Sequence, residues 1–106
     1  MAVKLLADDG QLFCLVKPQF EAGREQVGKK GIIRDKAVHA EVIEKVIRYG
    51  AENGLYPRGL DYSPMTGAKG NIEYLLLFDR HDTGQDYGPI IEAVVKKSHE
   101  ELYEAR

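Results

Sequence analysis

Two charged side chains stand beside strand-like runs, at positions where a sheet could bring them together. Lys17 follows the apolar run 12–16, which is typical of a buried strand. Pro18 then ends the ladder, because proline has no backbone N–H to pair. Glu73 lies near the start of a second apolar run, Ile72–Phe78. Such a pair could act on a substrate by hydrogen bonding or proton transfer, or it could be an ordinary surface salt bridge worth about 0–1 kcal/mol.

The hydrophobic pattern predicts the elements that position these residues. Asp35 and Asp86 are suitable N-caps, and Asn53-Gly54 is a suitable helix end. In chain order we predict a helix end over residues 3–8, a strand over 11–17 and a long polar connection over 18–35. A helix then follows Asp35, and its apolar stripe is Val38, Val42, Ile43, Val46, Ile47 and Tyr49. The remaining elements are a strand over Leu55–Tyr62, a turn over 63–70, a strand over Ile72–Phe78 and a helix after Asp86.

These connections predict the sheet topology. The first two strands are joined through a helix and should be parallel, whereas the short turn should make the last strand antiparallel. An antiparallel strand begins at the edge where its parallel neighbours end, so Lys17 and Glu73 should share one edge. Pro57 places the second strand at the sheet margin. The near-continuous apolar character of Ile72–Phe78 predicts that both of its faces are covered.

The densest basic cluster lies in the long connection and at the start of the following helix. Its members are Arg24, Lys29, Lys30, Arg34 and Lys36. Glycines between them would let backbone N–H groups approach phosphates. The alternative is a solvated loop whose charges keep the protein in solution. Because the formal net charge of the whole chain is −2, any contact with nucleic acid must come from such a local patch.

The remaining residues that could do chemistry favour structural roles. Cys14 lies inside an apolar strand and is expected to be a reduced core residue. His39, His81 and His99 show no ligand-like spacing, so we expect surface histidines and no metal site. The composition, 43% hydrophobic and 30% charged, is that of a folded α/β protein and argues against disorder. No run is long enough to cross a membrane.

Two short motifs carry a family resemblance. Lys17-Pro18-Gln19-Phe20-Glu21 and Gly70-Asn71-Ile72-Glu73 together resemble the hemolysin A-like family of FtsJ-type RNA 2′-O-methyltransferases. The resemblance covers only the second half of that catalytic domain. It implies an α/β fold, the C-terminal part of a Rossmann-like methyltransferase domain, with about three strands, two parallel and the last antiparallel, flanked by helices.

The resemblance also implies a chemistry. The family uses a Lys-Asp-Lys-Glu tetrad, whose last two members match Lys17 and Glu73. By this resemblance Lys17 helps to deprotonate a ribose 2′-hydroxyl and Glu73 orients it, so that the oxygen attacks the methyl group of S-adenosylmethionine. The tetrad's first lysine and its aspartate have no match here. A lysine acts as a base only when its pKa falls, and the missing lysine would supply the like charge that lowers it.

Several family parts have no counterpart in residues 1–106. These are the glycine-rich S-adenosylmethionine loop, the acidic ribose ligand and the small S4-type RNA-binding domain. We therefore expect a partial domain that binds no cofactor alone, from a cytoplasmic parent that modifies ribosomal RNA. A non-catalytic RNA-binding module and a purely structural fragment are the alternatives. The first strand would lack its outer neighbour, which predicts self-association through the 11–16 edge or the adjoining apolar face.

Overall fold

The computed structural model describes residues 2–5, 11–21, 34–66 and 70–104. The strands are β1 (Ala2–Leu5), β2 (Leu12–Val16), β3 (Tyr56–Tyr62) and β4 (Tyr74–Asp79). The helices are α1 (Pro18–Glu21), α2 (Lys36–Glu52) and α3 (Gly88–His99), and a π-helical segment, Glu100–Glu104, continues α3. The chain is therefore an α/β fold, as predicted.

The four strands form one sheet in the order β1-β2-β4-β3, and every adjacent pair is antiparallel. β4 runs antiparallel to both of its neighbours, as the short turn before it predicts. β2 and β3 consequently point in the same direction, but the predicted parallel pairing between them does not form, because β4 lies between them. β3 is an edge strand, which suits Pro57.

The predicted helix end over residues 3–8 is wrong for residues 3–5, which belong to strand β1, and residues 6–8 lie outside the described part of the chain. Ala2 pairs with Leu15 and Leu5 with Leu12, so the outer edge of β2 is satisfied within the chain. An edge strand presents unpaired N–H and C=O groups, and a short segment of the same chain can pair with them. The predicted self-association through an open 11–16 edge therefore loses its basis.

The core lies on one face of the sheet, under α2 and α3. Val16 and Cys14 of β2 are fully buried there beside their register partners Tyr74 and Leu76, so the predicted core position of Cys14 is confirmed. The core cluster also takes residues from both helices: Val42, Ile43, Val46, Ile91 and Val95.

The opposite face of the sheet is also apolar but less covered. Because successive side chains of a strand alternate between faces, Phe13, Leu15, Leu75 and Leu77 point away from the helices. They are half-buried and lie outside the core cluster. We predicted that both faces of β4 are covered, but the described part of the chain covers only the face that packs against the helices. Self-association through this face stays a prediction.

Helix α2 begins and ends where its sequence predicts. The Asp35 carboxylate accepts a hydrogen bond of 2.8 Å from the backbone N–H of Ala37, and Gly54 follows the helix end with φ +73°. Near its end α2 comes very close to the sheet. A Cβ added at Gly50 would lie only 2.7 Å from the ring of Phe78, so only glycine allows this approach.

A charged pair ties β3 to β4 at the same end of the sheet. The Arg58 guanidinium donates to the Asp79 carboxylate across the two strands. This hydrogen bond lowers the pKa of the Asp79 carboxyl, and the backbone N–H of His81 acts in the same direction. Both interactions favour the ionised carboxylate.

A polar network lies within the core, where β4 meets both helices. The Tyr74 hydroxyl is 2.9 Å from His39 Nδ1 on α2 and 2.9 Å from Ser98 Oγ on α3. His99 Nε2 is 2.9 Å from the same His39 nitrogen. All four side chains are buried. Their hydrogen bonds offset the cost of placing polar groups in a core.

The available protons favour one arrangement of donors in this network. The Ser98 hydroxyl donates to the Val95 carbonyl at 2.8 Å, so its oxygen is free to accept from Tyr74. Burial raises the pKa of Tyr74, which keeps that phenol protonated and able to donate. The Tyr74 oxygen then accepts from the N–H at His39 Nδ1, a proton that also faces His99 Nε2.

The prediction of surface histidines is therefore wrong for His39 and His99, while His81 is exposed as predicted. Tyr49, placed in the predicted apolar stripe, is instead 57% exposed. The true buried stripe of α2 is His39, Val42, Ile43, Val46 and Gly50. His39 thus lies three, four and seven residues before buried apolar positions, a spacing that would have placed it in the core.

The Tyr74 hydroxyl connects three elements, so its removal should weaken the fold. We expect Tyr74→Phe to lower the free energy of unfolding by about 1–3 kcal/mol, because the buried groups that it links lose a partner. Tyr49→Phe removes an exposed hydroxyl and should change the unfolding free energy by less than about 0.5 kcal/mol. Urea unfolding of the 106-residue chain measures both. Equal effects of the two variants would contradict the role of the network.

Candidate functional site

Lys17 lies at the end of β2, where the chain leaves the sheet. Val16 makes the last register pair of this strand with Tyr74, and Pro18 begins α1 at the next position after Lys17. Pro18 is fully buried, and its missing N–H costs nothing in the first turn of a helix. The backbone of Lys17 is thus held between a ladder residue and a buried proline.

Glu73 immediately precedes β4 at the same edge of the sheet. Its backbone C=O accepts a hydrogen bond of 2.8 Å from the N–H of Ser63, which aligns it with the end of β3. The two residues before it, Asn71 and Ile72, are almost completely buried. The Glu73 side chain is only 14% exposed, and its Oε2 lies 4.0 Å from Lys17 Nζ. The structure therefore brings together the two residues that the topology predicts at one edge.

The separation of these two charges matters for what they can do. A direct charge-assisted hydrogen bond joins N and O at about 2.7–2.9 Å, so 4.0 Å leaves the groups in an ion pair without tight contact. One hydroxyl oxygen could sit about 2.8 Å from both atoms. The Lys17 side chain is one-third exposed, so solvent reaches this pair. Exposed pairs of this kind contribute about 0–1 kcal/mol to stability.

Gln19 is a further polar residue at this edge that the sequence did not single out. It lies in α1, two residues after Lys17. Both polar atoms of its side-chain amide are buried, and the structure gives them no hydrogen-bond partner within its described residues. Such unsatisfied groups are uncommon in folded proteins. Its place in the Lys17-Pro18-Gln19 motif was the one available signal.

Only part of the predicted basic cluster lies within the described residues. Arg24, Lys29 and Lys30 lie outside them. Arg34 and Lys36 are exposed and flank the N-cap of α2. The Arg34 guanidinium lies 5.0 Å from the centre of the Tyr103 ring, a cation–π distance. At least this end of the cluster is therefore placed against the folded body of the protein.

Two cavities lie beside α2 in the described part of the chain. One cavity of about 330 Å³ lies between α2 and the sheet, and its lining is mostly apolar, without a charged side chain. A second, of about 430 Å³, lies between α2 and the start of α3. Neither is lined by Lys17 or Glu73. A charged amino-acid cofactor needs partners for its ammonium and carboxylate groups, which the first cavity does not offer.

Neither a metal cluster nor a membrane-spanning helix occurs in the same part of the chain. The described residues contain no group of three or more His, Cys, Asp or Glu side chains arranged to hold a metal ion. None of the helices within them has the length and apolar character needed to cross a membrane.

Comparisons with known proteins agree with the two motifs. A sequence model of the FtsJ-like methyltransferase family matches residues 2–80. The chain is 45% identical to "Putative rRNA methyltransferase YqxC" of Bacillus subtilis, over 96% of its own length and 38% of that protein. It is 41% identical, over 64% of its length and 25% of the relative, to the Mycobacterium tuberculosis protein named 16S/23S rRNA (cytidine-2'-O)-methyltransferase TlyA.

A solved structure shares the fold as well as the sequence. A protein described as a putative hemolysin from Streptococcus thermophilus superposes with a TM-score of 0.82 at 44% identity, over 96% of this chain and 37% of that protein. Each of these two matches, to YqxC and to the Streptococcus thermophilus protein, covers most of this chain. The chain nevertheless spans well under half the length of either relative. With the family model covering most of its residues, the chain belongs to the FtsJ-like methyltransferase family.

Proposed function

We propose that this chain supplies the ribose-activating part of an S-adenosylmethionine-dependent rRNA 2′-O-methyltransferase. The observation that carries the proposal is the Lys17–Glu73 pair, with both family motifs delivered to one edge of the sheet. The name of the relative TlyA, an rRNA (cytidine-2'-O)-methyltransferase, supports the substrate class. In this proposal the four strands belong to a larger Rossmann-like sheet, and a cytoplasmic location follows from the ribosomal substrate.

The geometry suggests a division of roles at the ribose. An ionised carboxylate only accepts hydrogen bonds, so Glu73 would accept the 2′-hydroxyl proton in a hydrogen bond and fix the direction of the oxygen. Lys17 would contact the same oxygen from the other side, across the 4.0 Å gap. To take the proton, Lys17 must be a neutral amine, and the single hydroxyl proton must first turn from Glu73 to Lys17 Nζ. The family's first tetrad lysine, which has no match here, would favour that form through its like charge.

We expect the residues that bind the methyl donor to lie outside residues 1–106. In the complete protein S-adenosylmethionine would supply the methyl group. We therefore expect no stoichiometric micromolar binding when the 106-residue chain is titrated with S-adenosylmethionine in a calorimeter. Such binding would show that the chain carries a cofactor site of its own.

The catalytic role of Lys17 can be tested in a chimera. Residues 1–106 replace the segment of TlyA with which they align, and transfer of radioactive methyl groups from S-adenosylmethionine to rRNA is measured. We expect Lys17→Ala to reduce transfer by at least about a hundredfold, the usual contribution of a positioned acid or base. The melting temperature should change little, since the pair is partly exposed.

Lys45→Ala is the matched control, because Lys45 is an exposed lysine of α2. It should leave methyl transfer unchanged. Near-normal transfer by the Lys17→Ala chimera would refute the proposed role. A folded chimera with no transfer in any form would favour the alternative, a non-catalytic RNA-binding or structural module.

We also propose that the basic cluster contacts the RNA backbone. Its candidate residues are Arg24, Lys29, Lys30, Arg34 and Lys36. The support is their density in the sequence and the exposure of Arg34 and Lys36 beside the start of α2. Phosphate contacts of this kind release counterions, so the affinity for RNA should fall as salt rises.

Neutralising Lys29, Lys30 and Arg34 together in the same chimera should weaken RNA binding uniformly across sequences. The slope of log affinity against log salt should become shallower by roughly 0.7–0.9 for each phosphate that is no longer neutralised. Filter binding at several salt concentrations measures this slope. Replacing the exposed lysines Lys45, Lys96 and Lys97 gives a control of equal charge change. Identical slopes for the two triple variants would show that the basic cluster is a solvated surface that does not contact the RNA backbone.

A further inference from the structure

The π-helical segment Glu100–Glu104 lies outside the residues matched by the family model, yet it packs beside the turn that carries Glu73. Leu102 and Tyr103 pack against the hydrophobic core from this segment. π-helical turns are rare and often occur at functional sites, which makes the contacts of this one informative.

The Tyr103 hydroxyl makes two contacts with the backbone of that turn. It donates a hydrogen bond of 2.9 Å to the C=O of Gly70, and the backbone N–H of Ile72 lies beside it, an interaction that acts to lower the pKa of Tyr103. Burial raises the pKa of Tyr103, so the phenol keeps the proton that it donates. Ile72 is fully buried, so water cannot replace the hydroxyl as a partner for its N–H.

These contacts hold the chain just before Glu73. Gly70 has φ +85°, a conformation that side chains other than glycine rarely adopt, so the turn has a specific shape. Glu73 follows Ile72 directly, and its own C=O is bound by Ser63. The path from Gly70 to Ile72 therefore determines where the Glu73 side chain leaves the backbone.

A second contact of the π-helical segment reaches the other end of the same turn. The Tyr62 hydroxyl, at the end of β3, lies beside the Glu101 carboxylate, and this acceptor and its negative charge raise the pKa of Tyr62 to about 12. The segment thus contacts the chain both before Ser63 and after Gly70. It spans the base of the turn.

The Tyr103 ring is itself held on two sides. Its centre lies 5.2 Å from that of the buried His99 ring, in an edge-to-face arrangement. The Arg34 guanidinium lies 5.0 Å from the ring centre. The hydroxyl is therefore anchored through its ring to the buried histidine pair and to the start of α2.

We propose that Tyr103 is a positioning residue for Glu73, acting through the backbone of residues 70–72. The inference rests on the proposed function for its purpose, since Glu73 would orient the ribose hydroxyl. The effect of Tyr103 on the conformation of residues 70–73 does not depend on activity, and it can be measured in the 106-residue chain alone.

The test is Tyr103→Phe, which keeps the ring and its contacts with His99 and Arg34 but removes the hydroxyl. We expect amide hydrogen exchange at Ile72 to accelerate by roughly tenfold or more, beyond any change at the core amides of Val42 and Leu76. In the unsubstituted 106-residue chain, three-bond couplings should show one Glu73 χ1 rotamer. In the variant they should show averaging among rotamers.

Tyr87→Phe is the matched control, because it removes the hydroxyl of a different tyrosine, which is buried at the start of α3. It should leave exchange at Ile72 and the Glu73 couplings unchanged relative to core amides. If Tyr103→Phe instead alters Ile72 no more than the core amides, and the Glu73 couplings stay those of one rotamer, the positioning role is wrong.

The two proposals fail in different experiments. The catalytic proposal is refuted if the Lys17→Ala chimera keeps full methyl transfer, even when amide hydrogen exchange at Ile72 still responds to Tyr103→Phe. The positioning proposal is refuted if the Ile72 amide does not respond to Tyr103→Phe, whatever the methyl transfer assay gives.

Discussion

The antiparallel insertion of β4 between β2 and β3 is the constraint on which the site depends. Because β4 runs against both neighbours, it starts at the edge where both of them end. The residue before β4 therefore faces the residue after β2. Had β4 paired in the parallel sense, Glu73 would lie at the opposite edge of the sheet, a full strand length from Lys17.

Stability and site chemistry rest on different interactions in this chain. The core cluster and the buried Tyr74 network join the sheet to both helices, and they account for the cohesion of the fold. The Lys17–Glu73 pair is loose and partly exposed, so it contributes little to folding. We therefore expect changes at these two residues to cost the scaffold little stability.

The sequence allowed the antiparallel last strand, the α2 cap and the Lys17–Glu73 edge to be predicted, because each follows from local signals. Asp35, Pro18 and the turn before β4 act within a few residues of their own positions. Strand β1 could not be foreseen, since Ala2–Leu5 has the same apolar character as a helix end and its strand state comes from pairing with β2. The histidine pair joins residues 60 positions apart, which no short window contains.

The close approach of Gly50 to the Phe78 ring has a consequence for the history of this sequence. At most positions of an amphipathic helix many residues are exchangeable, but here even one added carbon would collide with the aromatic ring of Phe78 on β4. Variation at position 50 is thus tied to the size of residue 78. A larger residue at position 50 could become established only after a smaller one at position 78. Substitutions at these two positions are therefore expected to occur together.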